Sequence, residues 1–242
     1  PADVFVGSKW GYTYTANWQV EAAQHEIKEH SLDKLKEQWA ESKALQPYLQ
    51  LYQIHSATLE TGVLDNEEVL AYLADLKKEG VKIGLSVSGP RQAATLERAM
   101  HVNINGGYLF DTVQATFNIL EQSMAKPLAI AAEAGMGIII KEALANGRLT
   151  PRNGDPAFAK TRDTLANMAR KYEVGMDAIA LAFVLAQPWA HIVLSGAAVE
   201  THLASNVQAT QIKLSPDDVE HLQHFAQPVA EYWRERSTLK WN

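Results

Sequence analysis

The sequence predicts an α/β fold, a (β/α)8 TIM barrel of which six βα units are visible. Three observations predict it. Six short apolar runs each stop on a polar or small residue: Phe5-Val6-Gly7-Ser8-Lys9, Leu49 through Ser56, Ile83-Gly84-Leu85-Ser86, Val113-Gln114-Ala115-Thr116, Ile138-Ile139-Ile140-Lys141 and Val193-Leu194-Ser195-Gly196. Stretches with helical periodicity separate them. No low-complexity linker or composition break divides the chain, so residues 1–242 read as one domain. Parallel strands covered on both faces produce such near-continuous apolar runs, and the chemistry of a barrel sits at their C-terminal ends.

Strand one is predicted at Val4–Lys9. A loop with Tyr12, Tyr14 and Trp18 follows. Then comes a long helix, about Gln19–Gln38, in which Val20, Ala23, Ile27, Ser31 and Leu35 recur at helical spacing. Pro47 precedes strand two, Tyr48–His55. Asp65 or Asn66 can cap the next helix. Glu67 and Glu68 suit its first turn, Val69, Leu70, Leu73 and Leu76 form its buried stripe, Lys77 and Lys78 suit its last turn, and Gly80 ends it. Strand three is Val81–Ser86, with a helix over about Arg91–Val102 after it. Strand four is Leu109–Phe117, and a helix near Ala125–Ala134 leads to strand five, Gly137–Lys141. A longer loop, Glu142–Pro156, precedes helices at about Lys160–Tyr172 and Asp177–Leu185. Strand six is His191–Ser195. Helices near Thr201–Ala209 and Ser215–Phe225 come before an aromatic tail of Tyr232, Trp233 and Trp241.

Composition narrows the function classes. At 242 residues and 47% hydrophobic, the chain is long enough to bury a sizeable core. A net charge of −6 argues against nucleic acid as a partner, because phosphates need a basic face. No apolar run reaches about eighteen residues, so neither a membrane span nor a membrane partner is expected. Zero cysteines rule out disulfides, thiolate metal sites and a cysteine nucleophile. No signal peptide is expected, and a cytoplasmic address is the default. A closed barrel needs eight strands, so two βα units of about 30 residues each are unaccounted for. The chain opens on Pro1 rather than an initiator Met and goes straight into a strand, so an upstream segment is expected.

Six pieces of the sequence lie in a telling order at strand ends. They are Ser8-Lys9-Trp10-Gly11, Leu51-Tyr52-Gln53-Ile54-His55, Glu79-Gly80-Val81-Lys82-Ile83-Gly84-Leu85-Ser86, Val113-Gln114-Ala115-Thr116-Phe117-Asn118, Asn146-Gly147-Arg148-Leu149-Thr150, and Leu194-Ser195-Gly196-Ala197 with Asn206 beyond. On these pieces the chain resembles the aldo-keto reductases from their third barrel strand to the C-terminus, over nearly all of its length. The resemblance implies hydride transfer between a nicotinamide cofactor and an aldehyde, ketone or sugar carbonyl. The family's catalytic set is an Asp, a Tyr, a Lys and a His. Lys9 matches the Lys and His55 the His. The Asp and Tyr belong after the second barrel strand and would lie upstream of Pro1.

Carbonyl reduction builds negative charge on the substrate oxygen, so a proton donor and a positive field beside that oxygen stabilise the transition state. An ammonium next to a phenol lowers the phenol's pKa and helps it donate. A histidine in the same pocket can orient the carbonyl. Read without the resemblance, Lys9 is equally a strand-end lysine reaching solvent, and His55 a satisfied core histidine. Tyr12 and Tyr14, just beyond Lys9, are alternative donors, although a loop tyrosine has no reason to meet the required geometry.

By the resemblance, Ser86 and Gln114 hold the nicotinamide carboxamide. Val87 stands where the family usually has Asn. Lys141 takes the place of an aromatic that stacks on the nicotinamide; its stem can cover the ring, or its ammonium can pair with Glu142. Leu144, Asn146, Gly147 and Arg148 fall on the loop that straps the pyrophosphate, where backbone N–H groups and a guanidinium suit a diphosphate, or they form a plain Asn-Gly turn. Gly196, Ala197, His202 and Asn206 fall at the adenosine end. Gly196 and His202 replace residues that are commonly Lys and Arg there, and a neutral His holds a 2′-phosphate less firmly than an Arg fork. The cofactor implied is therefore NADP, with NAD open. His25, His30, His191, His221 and His224 read as surface or helix-face histidines. Tyr232, Trp233 and Trp241 read as packing residues. A small-molecule carbonyl is the expected partner, and the oligomeric state is open. Two other readings compete. A non-catalytic nicotinamide-binding regulatory subunit would bind cofactor with little turnover. A metal-dependent barrel enzyme would need a His/Asp/Glu cluster at strand ends, which the sequence does not place beside His55, and no metal site is expected.

Overall fold

The computed structural model describes residues 4–17, 19 and 21–239. Trp18 and Val20, expected in the first loop and helix, and Trp241 of the tail lie outside the described residues. Two compact units are present, one built on residues up to Gln114 with Ala134–Gly137, the other on Ala115–Glu133 and Ile138–Leu239. The principal sheet has six strands.

In the first unit, β1 (Val6–Trp10) leads into an antiparallel hairpin of β2 (Tyr12–Tyr14) and β3 (Glu26–Lys28). Helix α1 (Leu32–Ser42) follows, then β4 (Leu49–Ala57), α2 (Glu67–Lys78), β5 (Lys82–Val87) and α3 (Gln92–Met100). A short ribbon, β6 (Asn103–Ile104) and β7 (Gly107–Tyr108), precedes β8 (Thr112–Thr116). The pairs β1–β4, β4–β5 and β5–β8 are all parallel. Their outer faces bury against helices: Tyr52 of β4 meets Trp39 of α1 with ring centroids 5.0 Å apart. Helix α2 matches its sequence signals. Asn66 accepts a hydrogen bond from the Val69 amide at 3.2 Å, and Val69, Leu70, Leu73 and Leu76 are buried.

The long helix expected over Gln19–Gln38 does not form. Ser31 has extended dihedrals and its hydroxyl accepts from the Lys34 amide, so it is the N-cap of a helix that starts at Leu32. Ile27, counted as a core position of that helix, lies in β3 and is 45% exposed. The register of Tyr12 against Lys28 captures the segment for the hairpin. Local periodicity lost to a pairing between residues far apart in sequence.

In the second unit, α4 (Ala125–Glu133) is followed by β9 (Gly137–Lys141), whose first residue belongs to the other unit. Then come α5 (Ala159–Tyr172), α6 (Met176–Leu185), β10 (Ile192–Val193), α7 (Glu200–Gln208), α8 (Pro216–Gln223) and α9 (Val229–Thr238). Strands β9 and β10 pair in parallel. Helix α6 is apolar all round, and Ala178 through Val184 are buried without a break. Strand β10 is shorter than the expected His191–Ser195 because the His191 side chain takes a strand-like bond, its Nδ1 accepting from the Ile138 amide at 3.0 Å. The aromatic tail is a helix: α9 buries Tyr232 and Trp233.

Asp218 ties α5 to α8. Its carboxylate accepts from Lys171 Nζ at 2.6 Å, the Tyr172 hydroxyl at 2.5 Å and Ser215 Oγ at 2.7 Å, while Ser215 Oγ caps the Asp218 amide. Burial alone would raise its pKa, but the hydrogen bonds from Lys171, Tyr172 and Ser215 outweigh it and bring the pKa down to about 2. The folded-state value is depressed, so this stabilisation is present above about pH 4 and disappears as pH falls towards 2. Solvent around Lys171, 55% exposed, screens the pair and limits its contribution. Asp218→Asn is expected to lower stability at pH 7 and to have a smaller effect at pH 2, as read by urea denaturation.

Candidate active site

Register brings the first unit's candidate residues to one face. Lys9 pairs with Gln53, Gln53 with Gly84, and Gly84 with Thr112. Parallel partners point the same way, and alternate residues share a face. The row beyond holds His55, Ser86 and Gln114, with Ser86 in register with Gln114. The inward polar residues therefore lie towards the carboxyl ends of successive strands.

His55 stands in a bulge. Ile54 pairs with Leu85 and Ala57 with Val87, so His55 and Ser56 together face Ser86. Ser56 adopts φ 52°, and its amide donates to Ser86 Oγ at 2.8 Å. The hairpin closes over this point. Tyr12, expected in a loop, lies in β2, and its ring meets the His55 ring edge-on at 4.7 Å. Lys28 Nζ sits 5.4 Å from the Tyr12 ring and donates to the Ser56 carbonyl at 3.0 Å.

His30, read from sequence as a surface histidine, is half-buried and supports the site. Its Nε2 lies 2.9 Å from the His55 carbonyl oxygen, so that nitrogen carries the proton, and its ring meets Trp10 at 5.5 Å. Burial lowers its pKa and keeps it neutral. Gly11, at φ 113°, makes room for it: a Cβ there would lie 2.4 Å from the His30 ring. The glycine in Ser8-Lys9-Trp10-Gly11 was the available signal.

The Lys9 side chain forms no hydrogen bond or ion pair among the described residues. Much of the residue surface is open, yet neighbouring atoms desolvate the ammonium and lower its pKa. Gln114 is buried and, among the described residues, its amide has no hydrogen-bond partner, as a ligand-facing amide would.

The second unit holds the other candidates. Lys141 donates to Thr116 Oγ1 at 2.9 Å and lies 3.7 Å from a Glu142 oxygen, so the ion pair weighed against ring stacking is formed. Glu142 also accepts from Arg236 at 2.8 Å. Burial pushes its carboxyl up, but Lys141, Arg236 and Arg148 prevail and hold it below the usual range. Leu144, Asn146 and Gly147 lie on a tight turn with Ala145, Asn146 and Gly147 all at positive φ. The amides of Gly147 and Leu149 donate to the Leu144 carbonyl, at 3.0 and 3.3 Å. Asn146 and Gly147 are exposed, and nothing lies within 4 Å of a Cβ built on Gly147.

Arg148 turns inward. It is buried, its Nε donates to the Ala145 carbonyl at 2.9 Å, Nη1 meets Glu235 at 3.3 Å, and its guanidinium lies 4.3 Å from the Tyr232 ring centroid. At the other end of the unit, Gly196 has φ 64° and the Ala197 amide donates to Ser195 Oγ at 3.1 Å. Asn206 is buried, donates to the Ser195 carbonyl at 3.0 Å, and keeps a buried Oδ1 without a partner among the described residues. His202 is exposed on α7.

Parallel strands that end on polar side chains define an α/β protein with its candidate site on the carboxyl side of the sheet. The Aldo/keto reductase family model matches residues 1–227. Aldo-keto reductase AKR11C1 from Bacillus halodurans, in its holo form, is 20% identical and superposes with a TM-score of 0.69 over 93% of this chain and 74% of its own. The glycerol dehydrogenase AKR11B4 from Gluconobacter oxydans is also 20% identical, with a TM-score of 0.67 over 90% of this chain and 70% of its own. An uncharacterized oxidoreductase, YqkF, from Bacillus subtilis (strain 168) is 24% identical over 191 residues, 73% of this chain. The chain spans 60% of that relative's length. The chain belongs to the aldo/keto reductase family, and its sheet carries six strands of that family's (β/α)8 fold.

Proposed function

We propose that this chain, as a single barrel domain, contributes to NAD(P)H-dependent reduction of a small aldehyde, ketone or sugar carbonyl. The row of His55, Ser86 and Gln114 beyond Lys9, which is unpaired among the described residues, carries the reading. The Lys9 ammonium supplies positive potential where the carbonyl oxygen gains charge, and its desolvation strengthens that field. His55, braced by Tyr12 and held through its carbonyl by His30, orients the carbonyl oxygen by hydrogen bonding. Lys9 matches the family's Lys and His55 its His, and these two carry the catalytic part of the proposal.

The residues fit a nicotinamide cofactor, which supplies the hydride when bound. In the first unit, the Gln114 amide, without a partner among the described residues, suits the carboxamide together with the Ser86 hydroxyl; in the second, taken by itself, the buried Asn206 Oδ1, likewise unpartnered among the described residues, suits an exocyclic amine of adenine. Gly147, Leu144 and Asn146 offer an open turn for the diphosphate, with Gly196, Ala197 and His202 at the adenosine end. Lys141 and Arg148 belong to the same proposal as cofactor-binding residues, each also paired with a carboxylate, Glu142 and Glu235. NADP is the proposed cofactor, with NAD the competitor to titrate beside it, and a cytoplasmic address belongs to the same proposal.

Binding tests the reading without requiring turnover. Gln114→Leu is expected to weaken NADPH binding about tenfold, the loss of one or two hydrogen bonds to an amide, as followed by quenching of intrinsic tryptophan fluorescence. Unchanged affinity would remove Gln114 from the site.

A further inference from the structure

We propose that Lys28 and His30 together clamp the bulge that aims His55, which makes both of them positioning residues. The inference rests on His55 being the residue that orients the carbonyl in the proposed reaction. The last pairing of β1 with β4 joins Trp10 to Ile54, whereas β4 runs on to Ala57, so the His55 and Ser56 carbonyls lie beyond that ladder. Side chains take its place. His30 Nε2 donates to the His55 carbonyl at 2.9 Å, and Lys28 Nζ donates to the Ser56 carbonyl at 3.0 Å. Towards β5, the Ser56 amide donates to Ser86 Oγ at 2.8 Å. Ser56 itself holds φ 52°, a left-handed conformation that a residue other than glycine keeps only where its surroundings impose it.

The clamp stands on a fixed mount. Lys28 and His30 flank Glu29, whose amide donates to the Gly11 carbonyl at 2.9 Å and so continues the pairing of β3 with β2. Gln38 of α1 fastens the base of the hairpin from the helix side. Its Oε1 accepts from the Gly11 amide and its Nε2 donates to the Tyr12 carbonyl, both at 2.8 Å. The His30 ring is held between the Trp10 edge, 5.5 Å away, and the space that Gly11 leaves open. The two donors therefore reach consecutive carbonyls from an element that is itself tied down. Those carbonyls belong to the two residues that together face Ser86, where the bulge inserts its extra residue. Without the donors nothing on this side of β4 fixes where the extra residue falls. A slip of one residue turns the His55 side chain to the opposite face, away from Tyr12, whose ring now meets it edge-on at 4.7 Å.

The test divides the properties of His30 between two variants of the otherwise unchanged protein. His30→Phe keeps a ring against Trp10 and loses the donor, whereas His30→Gln loses the ring and keeps an N–H at the reach of Nε2. The His55 Cε1–H signal, assigned by its loss in His55→Ala, is followed by carbon-13 NMR together with its Overhauser contact to the Tyr12 ring. A clamp predicts that His30→Phe shifts the signal and abolishes the contact, while His30→Gln keeps both. If His30→Phe leaves signal and contact in place, or His30→Gln displaces them as far as His30→Phe does, His30 is a packing residue and the inference is overturned. Lys28 supplies a second arm at an exposed position. Lys28→Met keeps the stem over Tyr12 and should displace the His55 signal, and Lys28→Arg should restore it. That pair carries the test if His30→Phe does not fold, and an unmoved signal in Lys28→Met then overturns the inference. Hydride turnover is not read, so failure of the proposed reaction leaves this test intact.

Discussion

Replacing Lys9 by Met is expected to reduce carbonyl-reduction kcat by about 10²–10⁴-fold while NADPH affinity stays within about twofold. The range is that of a preorganised charge or proton-transfer group acting on a developing oxyanion. The split between kcat and binding follows from placement. Lys9 lies one row below His55 and Ser86 and has no partner among the described residues. Its removal breaks no hydrogen bond or ion pair among them, and Met retains the stem that covers the strand. Steady-state kinetics with saturating cofactor measures the effect. An equal loss in cofactor affinity would mean that Lys9 holds the cofactor rather than the reacting oxygen. His55→Ala is the companion variant. It should raise KM as well as lower kcat, because the same ring orients the substrate.

The second large effect is on stability. Glu142→Leu is expected to cost about 3–5 kcal/mol, the usual consequence of removing one partner from a buried ion pair. Glu142 is nearly enclosed, and Lys141 and Arg236 converge on one of its oxygens from 3.7 and 2.8 Å. Leucine would remove the negative charge that Lys141, 15% exposed, and buried Arg148 both act on. Arg236 loses less, because it is 38% exposed and can turn to water. Glu142→Gln keeps an acceptor for Arg236 and should cost about half as much. The folded-state pKa of Glu142 is depressed, so its contribution is present above the ordinary glutamate pKa of about 4.3 and is lost as pH falls below it. The midpoint of urea unfolding, at constant slope, is the measurement. A change below about 0.5 kcal/mol would show that the network is solvated after all.

The same pair explains part of what the sequence reveals and what it hides. The end of β9 at Lys141 is legible because Gly137-Ile138-Ile139-Ile140 is an unbroken apolar run that stops on a charge. The ion pair between Lys141 and Glu142 could be weighed because the two are adjacent. The reach of α9 back to Glu142 and Glu235's hold on Arg148 could not, because they join residues some 90 positions apart, 87 for Arg148 and Glu235 and 94 for Arg236 and Glu142. Arg148 reads in the sequence as a diphosphate ligand on a loop, and its burial against Glu235 is not legible there. Helix α9 itself was missed because its exposed face is charged and its two buried residues are aromatics that read as a tail.

At the first unit the difficulty is register. Lys9, His55, Ser86 and Gln114 are each found at the end of an apolar run, and strand periodicity is enough to place them. That Gln53, Gly84 and Thr112 share a row with Lys9 is a property of three strand pairings, each between segments separated by a helix or loop. The hairpin of Tyr12–Tyr14 with Glu26–Lys28 is hidden for the same reason, and the coincidental spacing of Ala23, Ile27, Ser31 and Leu35 actively mimicked a helix. His30 escaped because no local pattern marks a histidine that bonds a carbonyl 25 residues away.

The central claim is that this chain serves carbonyl reduction by a nicotinamide, with Lys9 and His55 at the reacting oxygen. Hydride transfer from NADPH deuterated at C4 to a panel of aldehydes, ketones and sugars tests it most directly, with the product alcohol analysed by mass spectrometry. The account predicts one deuterium on the former carbonyl carbon for each NADPH consumed, and loss of that label in the Lys9→Met variant. Tight binding of NADPH with no deuterium transferred to any carbonyl would contradict it and would leave a nicotinamide-binding protein without reductase chemistry.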